Sequence, residues 1–261
     1  MLAPNAKERL KGLGGARGGR QVLSLAGVAT AVAWLSGAGC IGVSQKRGAG
    51  DGIIGGDVAD LNVCRGGIRI ADDGAIDDFE DDNNQLSLEG GRDGYWYTAK
   101  DTKGSTIEMS TQEGGASGSE ESMHVTGTTV SGGDESLAWG ASVGAMFAGK
   151  GPYDGSKYAG IVFKARATGT GQVRFNIGDV NTHLDGKVCQ ACWNHFGKTL
   201  SLTPEWKEYR ILFTDARQMD GWGKPRPAAI TPSKLYNLEF KIGPGQTFDI
   251  SIDDLAFLSC R

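Results

Sequence analysis

The sequence contains few of the features that support catalysis or a helical fold. It has three histidines, His124, His183 and His195, and it lacks the Gly-x-Ser-x-Gly, His-Glu-x-x-His and P-loop patterns. After residue 40, no long segment shows the period of about 3.6 residues of an amphipathic helix. These absences argue against the common hydrolase and nucleotide-binding classes, although acidic residues are numerous enough for a pair of catalytic carboxylates.

The chain also lacks an excess of basic residues. Its formal net charge is −4, and removal of residues 1–39 takes away five basic side chains and one acidic side chain, which leaves −8. An acidic chain repels nucleic-acid phosphates and anionic lipid head groups. We therefore expect no nucleic-acid partner, and contact with a membrane only through a covalently attached lipid.

The first 39 residues have the order of regions that is typical of an export signal. A basic stretch at 7–20 precedes the apolar run 22–35, and the small residues 36–39 follow it before Cys40. The apolar run is shorter than the about 20 residues of a membrane span. We therefore predict three segments: a signal peptide at 1–39, a Gly-rich tether at 40–73 and one folded domain at 74–261.

The segment that ends at Cys40 resembles the lipobox of bacterial lipoproteins, in which a cysteine after small residues is lipidated. That pattern usually has leucine three residues before the cysteine, where this chain has Gly37. Ordinary signal-peptidase cleavage after Gly39 also fits the small-residue rule, so both outcomes remain open. The first predicts a lipoprotein of the bacterial outer membrane or cell surface, and the second predicts a secreted protein.

The chain has five cysteines: Cys40, Cys64, Cys189, Cys192 and Cys260. Lipidation of Cys40 would leave four, an even number of the kind that an oxidising compartment favours. If the first and last core strands are adjacent, we expect a disulfide between Cys64 and Cys260. Cys189 and Cys192 would then pair within their loop. Four cysteines allow three connectivities, and the sequence does not choose among them.

Alternation of apolar and polar residues dominates the body of the chain. Val173, Phe175 and Ile177 illustrate the period of two that is typical of a half-buried strand. Gly-rich turn signals separate such segments, as at 131–134 and 168–171. The pattern predicts an all-β protein, a β-sandwich of the jelly-roll type. The predicted strands are 75–80, 95–100, 122–130, 136–147, 160–166, 172–177, 198–202, 209–213, 238–242 and 248–258.

Two acidic segments, 75–80 and 248–258, stand at the start and the end of the predicted domain. Each places carboxylates among apolar residues, where unpaired charge is costly. If the two strands are neighbours, their acids converge, and a hard cation such as calcium would stabilise them. The apolar phase of the second segment slips at Asp253 and Asp254, which predicts a β-bulge.

Six short motifs follow one another along the chain, at 76–80, 94–96, 139–140, 173–177, 206–209 and 248–254. Their order resembles that of family 11 carbohydrate-binding modules, within the galactose-binding-domain-like jelly rolls, over residues 75–259. The resemblance implies two packed antiparallel sheets, a structural calcium and a glucan groove on the concave sheet. It makes Glu80 and Asp254 the expected calcium ligands, with Asp78 third. In the alternative, these acids cap strands and accept backbone hydrogen bonds.

Polar residues alternate with the apolar ones on two of the predicted strands. Arg174 and Asn176 lie on one of them, and Glu239 and Lys241 lie on the other. If the two strands share the concave sheet, these four side chains form the floor of a ligand site. The alternative is an ordinary solvated sheet face.

The loop at 183–196 holds the densest group of reactive residues. His183, Cys189, Cys192 and His195 are of types that bind zinc, but their spacing is not an established zinc pattern. Thiols of an exported protein are expected to be oxidised. We therefore expect a disulfide between the two cysteines, which stiffens the loop and lets Trp193 and His195 face a ligand.

These features favour non-catalytic binding of a β-glucan-like or other neutral polysaccharide by an exported, lipid-anchored monomer that binds calcium. One alternative is an envelope structural or protein-interaction module that has lost sugar binding, and another is a small glycoside-active enzyme. An exposed aromatic strip on the sheet favours the first function, and a closed or charge-rich face favours the second. Two carboxylates facing each other across a deep cleft favour the third.

Overall fold

The structure is a computed structural model that describes Cys64, residues 66–132 and residues 137–261. The predicted signal peptide, the predicted lipid-bearing Cys40 and most of the predicted tether lie outside the described residues. Within the described ranges, no helix is long and apolar enough to cross a membrane.

The described residues form an all-β protein, as predicted, with eleven strands and three short 3-10 helices. All strand pairs are antiparallel, and they form two sheets. The strands are β1 (Ile68–Asp77), β2 (Trp96–Lys100), β3 (Thr106–Glu113), β4 (Glu121–Thr128), β5 (Ala141–Met146), β6 (Gly160–Gly169), β7 (Gln172–Asp179), β8 (Phe196–Ser201), β9 (Lys207–Leu212), β10 (Leu235–Ile242) and β11 (Thr247–Cys260).

The last strand, β11, organises the six-stranded sheet. The order is β3–β4–β11–β6–β9, and β1 also pairs with β11. Residues 247–252 of β11 pair with β4, and residues 255–260 pair with β1. The register against β6 shifts between Asp253 and Ala256, and Asp254 has a φ of 50°. The predicted β-bulge is therefore present, and it marks where β11 exchanges β4 for β1.

The five-stranded sheet has the order β2–β5–β10–β7–β8 and packs against the first sheet. Phe163 of β6 meets Phe175 and Phe240 of this sheet, with ring centroids 4.8 and 4.9 Å apart. All three side chains are fully buried. Burial of each contributes about 1.5–3 kcal/mol, so this aromatic contact is a main reason that the two sheets stay together.

Two disulfides are present, and both are the pairs expected from the sequence. Cys64 and Cys260 join the segment before β1 to the end of β11, with Cα atoms 4.9 Å apart. Cys189 and Cys192 pair within their loop. The second disulfide occupies both thiols that a zinc site would have needed.

One edge strand, β3, is not among the strands predicted from the sequence. Its residues alternate, but the side chains on its inner face are only partly buried, and polar residues make up most of the strand. Ile107 and Met109 pack against the core from this edge. A strand at the edge of a sheet needs only a weakly apolar inner face, so the alternation of apolar and polar residues does not reveal it.

Strand boundaries also differ from the predicted ones, and the differences at β1 and β5 have a clear backbone cause. The first strand begins at Ile68, so residues 68–73 belong to β1 rather than to a tether. Phe79 has a φ of 60°, and β1 accordingly ends at Asp77, before the predicted end at residue 80. Gly140 has a φ of 100°, so β5 begins at Ala141 and Trp139 lies before the strand.

Candidate functional site

Strand β10 has one face in the core and one polar face. Leu238, Phe240 and Ile242 are fully buried between the sheets. Because successive strand residues point to opposite faces, Glu239 and Lys241 lie on the outer face of the five-stranded sheet. Both side chains are half-buried there.

The sheet register brings together the four ligand residues predicted on the strands. Glu239 lies opposite Asn176, and Lys241 lies opposite Arg174. On the other side of β10, Glu239 lies opposite Gly144, which in turn pairs with Tyr97 of β2. We call this outer surface the polar face; its side chains are Tyr97, Ser142, Arg174, Asn176, His195, Asn237, Glu239 and Lys241.

Hydrogen bonds run across the strands of the polar face. Asn176 Nδ2 donates to Glu239 Oε1 over 2.8 Å, and Asn237 Nδ2 donates to the Tyr97 hydroxyl over 2.9 Å. These bonds fix the two amides, because each uses its only NH₂ group toward a defined partner. Their oxygens point away from these partners, with Asn237 Oδ1 against Gly178 and Asn176 Oδ1 against Gly197.

A glycine lets two polar side chains of the face pack directly against the backbone. A Cβ atom on Gly178 would lie 2.0 Å from Asn237 Oδ1 and 2.8 Å from His195 Cε1. Both distances are far below normal contact, so only glycine fits at this position. His195, predicted from its loop, therefore joins Asn237 on the same part of the face.

Three buried acceptor atoms of the polar face have no hydrogen-bond partner within the part of the chain that the structure describes. They are Asn176 Oδ1, Asn237 Oδ1 and His195 Nε2. The three residues are at most 3% exposed. Unpaired polar atoms at this depth are uncommon and costly, so each needs a donor from water or from a ligand.

The protonation of His195 follows from its neighbours. Thr182 Oγ1 lies 2.9 Å from His195 Nδ1 and donates its single proton to Asp179 Oδ1 over 3.1 Å. His195 Nδ1 must therefore carry the proton that it donates to Thr182, and Nε2 is a bare acceptor. Burial is the first cause that lowers the pKa of His195 to about 3, so the ring is neutral.

Burial also shifts the charged groups of the polar face. It raises the pKa of Glu239 and lowers the pKa values of Lys241 and Arg174. The pKa of Tyr97 rises to about 12, first through burial and then through the nearby Glu239. The phenol consequently remains a neutral donor and acceptor across the physiological range.

Two loops, at 182–195 and 217–224, form a lobe beside the polar face, which we call the stapled lobe. The Cys189–Cys192 disulfide lies within the first loop. Asn194 joins the two loops: its amide nitrogen donates to the backbone oxygens of Met219 and Trp222 over 2.9 and 2.6 Å. Asn194 is only 2% exposed. The lobe is therefore held by covalent and hydrogen-bonded links rather than by a core.

Large apolar side chains are exposed on the stapled lobe. Trp193 is 50% exposed, and its ring meets His183 and His195 edge to face, with centroids 5.2 and 5.8 Å away. Trp222 and Met219 are also exposed. Of the two predicted loop residues, Trp193 is thus at the surface and His195 lies beneath it.

The predicted ligand set omitted several residues that shape this region. Tyr97 and Asn237 lie on the polar face, and Asn194 and Gln218 hold the stapled lobe. Tyr97 alternates with buried Trp96, and Asn237 is two residues from Glu239, so extending the period of two along each strand would have found both. Nothing in the sequence pattern separates Asn194 from an ordinary loop amide.

The three predicted calcium ligands, Asp78, Glu80 and Asp254, line one cavity of about 420 Å³. Glu80 Oε1 already accepts hydrogen bonds from Ser119 Oγ and from the backbone nitrogens of residues 120 and 121, over 2.5 to 3.0 Å. Asp254 Oδ2 accepts from Lys164 Nζ over 2.6 Å. Among the described residues, no three His, Cys, Asp or Glu side chains converge to hold a metal ion.

These contacts show how the acids are held in the protein alone. Glu80 has the backbone hydrogen bonds of the alternative given above, in which acids fasten strand ends. The donor set is nevertheless all oxygen and carries three carboxylates, which is the chemistry that calcium prefers. Calcium binding stays a prediction.

Comparison with solved structures shows the fold of the domain. The chain is similar to the family 11 carbohydrate-binding module of the cellulosomal cellulase Lic26A-Cel5E of Clostridium thermocellum, with a TM-score of 0.50 and 16% identity over 73% of this chain and 94% of that one. A family 11 module from Clostridium thermocellum in complex with a β-1,3-1,4-mixed-linked tetrasaccharide gives a TM-score of 0.50 and 16% identity, over 74% and 96%. No protein-family model and no curated protein matches the chain.

The domain is therefore a jelly-roll β-sandwich with the fold of these carbohydrate-binding modules. The fold class and the resemblance stated from the sequence motifs are confirmed at this level. The roles of individual residues on the polar face come from the geometry given above.

Proposed function

We propose that the chain is a non-catalytic module whose polar face binds a polysaccharide. The observation that carries this proposal is the set of buried acceptors without a donor among the described residues: Asn176 Oδ1, Asn237 Oδ1 and His195 Nε2. Sugar hydroxyls donate hydrogen bonds, and a saccharide on the face would supply the missing donors. The likeness in fold to carbohydrate-binding modules supports the same function.

Aromatic side chains beside the polar face also support sugar binding. Tyr97 and Trp139 are half-buried at one side, and Trp193 is half exposed on the stapled lobe. Aromatic rings offer flat apolar surfaces on which the C–H faces of sugars can pack. The β-glucan-like neutral ligand predicted from the sequence is the first class to be tested.

A binding role fits the charges of the face better than glycoside hydrolysis does. Of the side chains that define the polar face, Glu239 alone is a carboxylate. Hydrolysis requires two carboxyl groups about 5–9.5 Å apart across the bond that is cleaved. The solved structures named above are likewise binding modules.

We further propose that the protein is exported and that it binds calcium at Asp78, Glu80 and Asp254. The two disulfides support an oxidising compartment. Calcium would lie in the cavity that these three carboxylates line, and it would stabilise the folded chain by mass action. Addition of calcium to metal-free protein should then raise the Tm, and Glu80→Gln should abolish that rise. An equal rise with Asp249→Asn, on the outer face of the six-stranded sheet, provides the control.

A protein-interaction role in the cell envelope is the second candidate. The exposed Trp193, Met219 and Trp222 of the stapled lobe favour it, because exposed aromatic and methionine side chains are enriched at protein interfaces. Trp193 is shared by both candidates, so variants of Arg174 on the polar face and of Trp222 on the lobe separate the two functions.

Affinity electrophoresis of the purified protein through gels that contain soluble polysaccharides tests the proposal. We expect retardation by one polysaccharide class, loss of retardation in Arg174→Gln and Trp193→Ala, and no change in the control Asp249→Asn. Absence of retardation by every polysaccharide, from protein whose folding is verified by circular dichroism, would contradict carbohydrate binding and leave the interaction role.

A further inference from the structure

Two cations and one carboxylate share the polar face. Arg174 and Lys241 occupy directly opposite positions on β7 and β10, and Glu239 is the next outward residue of β10. All three side chains are half-buried. Like charges that face each other across a strand pair are destabilising, so this arrangement has a cost unless an anion compensates it.

Neither cation has a carboxylate partner among the residues that the structure describes. No carboxylate oxygen there lies within 4.0 Å of the charged nitrogens of Arg174 or Lys241. Arg174 Nη2 donates to the backbone oxygen of Arg217 over 2.5 Å, and the Lys241 ammonium stands 5.3 Å from the centre of the Trp139 ring. Both contacts leave the positive charges in place.

Glu239 can offset only one of these two charges. One of its oxygens already accepts the hydrogen bond from Asn176, and the residue carries a single negative charge. His195 and Tyr97, the other titratable side chains of the face, are neutral and add no negative charge. The face therefore keeps one positive charge that is partly removed from water, and such a charge is costly without a partner.

We propose that the polar face binds an acidic polysaccharide, with a uronate carboxylate seated between Arg174 and Lys241. This inference rests on the proposed carbohydrate-binding function and names its substrate class, which differs from the neutral ligand predicted from the sequence. The guanidinium of Arg174 suits a carboxylate because its planar fork can donate two parallel hydrogen bonds. The Lys241 ammonium supplies a point charge from the opposite strand.

The same sugar would also use the unpaired acceptors of the face. A uronate ring carries hydroxyl donors as well as its carboxylate, and Asn176 Oδ1 and His195 Nε2 are acceptors without donors among the described residues. The negative net charge of the whole chain opposes this binding only weakly. At physiological salt, exposed charges farther than about 8 Å from the ligand are largely screened.

Isothermal titration with two matched oligosaccharides tests the inference. One is a uronate oligosaccharide too short to gel with calcium, and the other is the same oligosaccharide with its carboxyl groups reduced to primary alcohols. We expect the uronate to bind at least about tenfold more tightly, and increasing salt to weaken only the uronate. Lys241→Gln and Arg174→Gln should each remove about tenfold of uronate affinity, and Lys198→Gln, an exposed edge residue, should not.

The outcomes separate this inference from the function on which it rests. Equal or tighter binding of the reduced oligosaccharide would overturn the acidic ligand and leave carbohydrate binding in place. Binding of a sulfated polysaccharide without binding of any uronate would also overturn it. If no acidic or neutral saccharide binds the folded protein, the proposed function itself falls.

Discussion

At the scale of single residues, His195 links the stability of the polar face to pH. Burial lowers its pKa from the ordinary value of 6.5 to about 3, with smaller contributions from His183 and Lys241. The unfolded chain therefore binds a proton at pH values where the folded chain does not. Stability is full above about pH 6.5 and falls as the pH drops toward 3. Between pH 7 and pH 5, His195 should account for a loss of about 2 kcal/mol.

Urea unfolding at these two pH values, with disulfides intact, measures this loss. His195→Gln should lack it, whereas His124→Gln should retain it, because His124 pairs with Asp249 on the opposite sheet. The ¹⁵N NMR shifts of the His195 ring at pH 5 provide an independent test in the unaltered protein. A protonated ring at that pH would contradict the burial argument.

Arg92 is a second residue whose burial makes a strong prediction. It is 1% exposed, and its guanidinium donates to the Tyr153 hydroxyl and to the backbone oxygens of Asp73 and Ala75, over 2.6 to 3.2 Å. Lysine retains the charge but cannot reproduce the planar set of donors of the guanidinium. Arg92→Lys should therefore lower the free energy of unfolding by about 1.5–3 kcal/mol.

The partly exposed Arg69 offers a matched control for Arg92. It pairs with Asp72 at the surface, where an Arg→Lys change should alter stability by less than about 0.5 kcal/mol. Urea denaturation of both variants compares the two positions directly. If both substitutions have the same small effect on the free energy of unfolding, the hydrogen bonds of the buried Arg92 guanidinium do not stabilise the first strand.

At the scale of elements, the stapled lobe depends on Asn194. Its side chain makes three hydrogen bonds with the 219–222 turn, and Asn194→Ala would leave those backbone groups without partners. We expect trypsin to cleave after Arg217 faster in this variant under native conditions, because the turn opens more often. The exposed Asn83→Ala is the control. Unchanged cleavage in Asn194→Ala would show that the backbone hydrogen bonds between residues 190–191 and Lys224 hold the turn without the Asn194 side chain.

Strands that bury a continuous apolar face could be predicted from the sequence, whereas a strand that buries little could not. Strands β7 and β10 have a fully apolar inner face, and their period of two located them and four residues of the polar face, Arg174, Asn176, Glu239 and Lys241. Strand β3 was not predicted because it lies at a sheet edge and its side chains are at most partly buried. The bulge at Asp253 was visible because it breaks the apolar phase within a long strand.

The site was predictable where strand alternation determines it and not where loops do. Alternation placed Glu239 and Lys241 on one face, whereas their approach to Arg174 and Asn176 rested on the condition that the two strands share a sheet. The role of Asn194 depends on two loops that meet in space but are far apart along the chain. The same holds for Lys164, whose pairing with Asp254 requires the register of β6 against β11.

At the scale of the whole molecule, the ends of the domain are joined twice, by the β1–β11 pairing and by a disulfide. The Cys64–Cys260 disulfide spans 196 residues, whereas Cys189–Cys192 spans three. A disulfide lowers the conformational entropy of the unfolded chain, and more so when it closes a longer loop. On this basis the Cys64–Cys260 disulfide stabilises the fold by about 5 kcal/mol and the Cys189–Cys192 disulfide by about 2 kcal/mol. Replacing Cys64 and Cys260 by serine should therefore lower the Tm more than replacing Cys189 and Cys192.

Differential scanning calorimetry of the two double-serine variants tests this difference, because both lose one disulfide and gain two hydroxyls. If the domain folds as one unit, the variant without the Cys64–Cys260 disulfide should show the larger fall in Tm, and its unfolding should appear as a single shifted transition. A larger fall in Tm on removal of the Cys189–Cys192 disulfide would mean that the stapled lobe contributes more to the stability of the sandwich than the Cys64–Cys260 disulfide does. Loss of polysaccharide affinity only in the Cys189 and Cys192 variant would place the lobe in ligand binding as well.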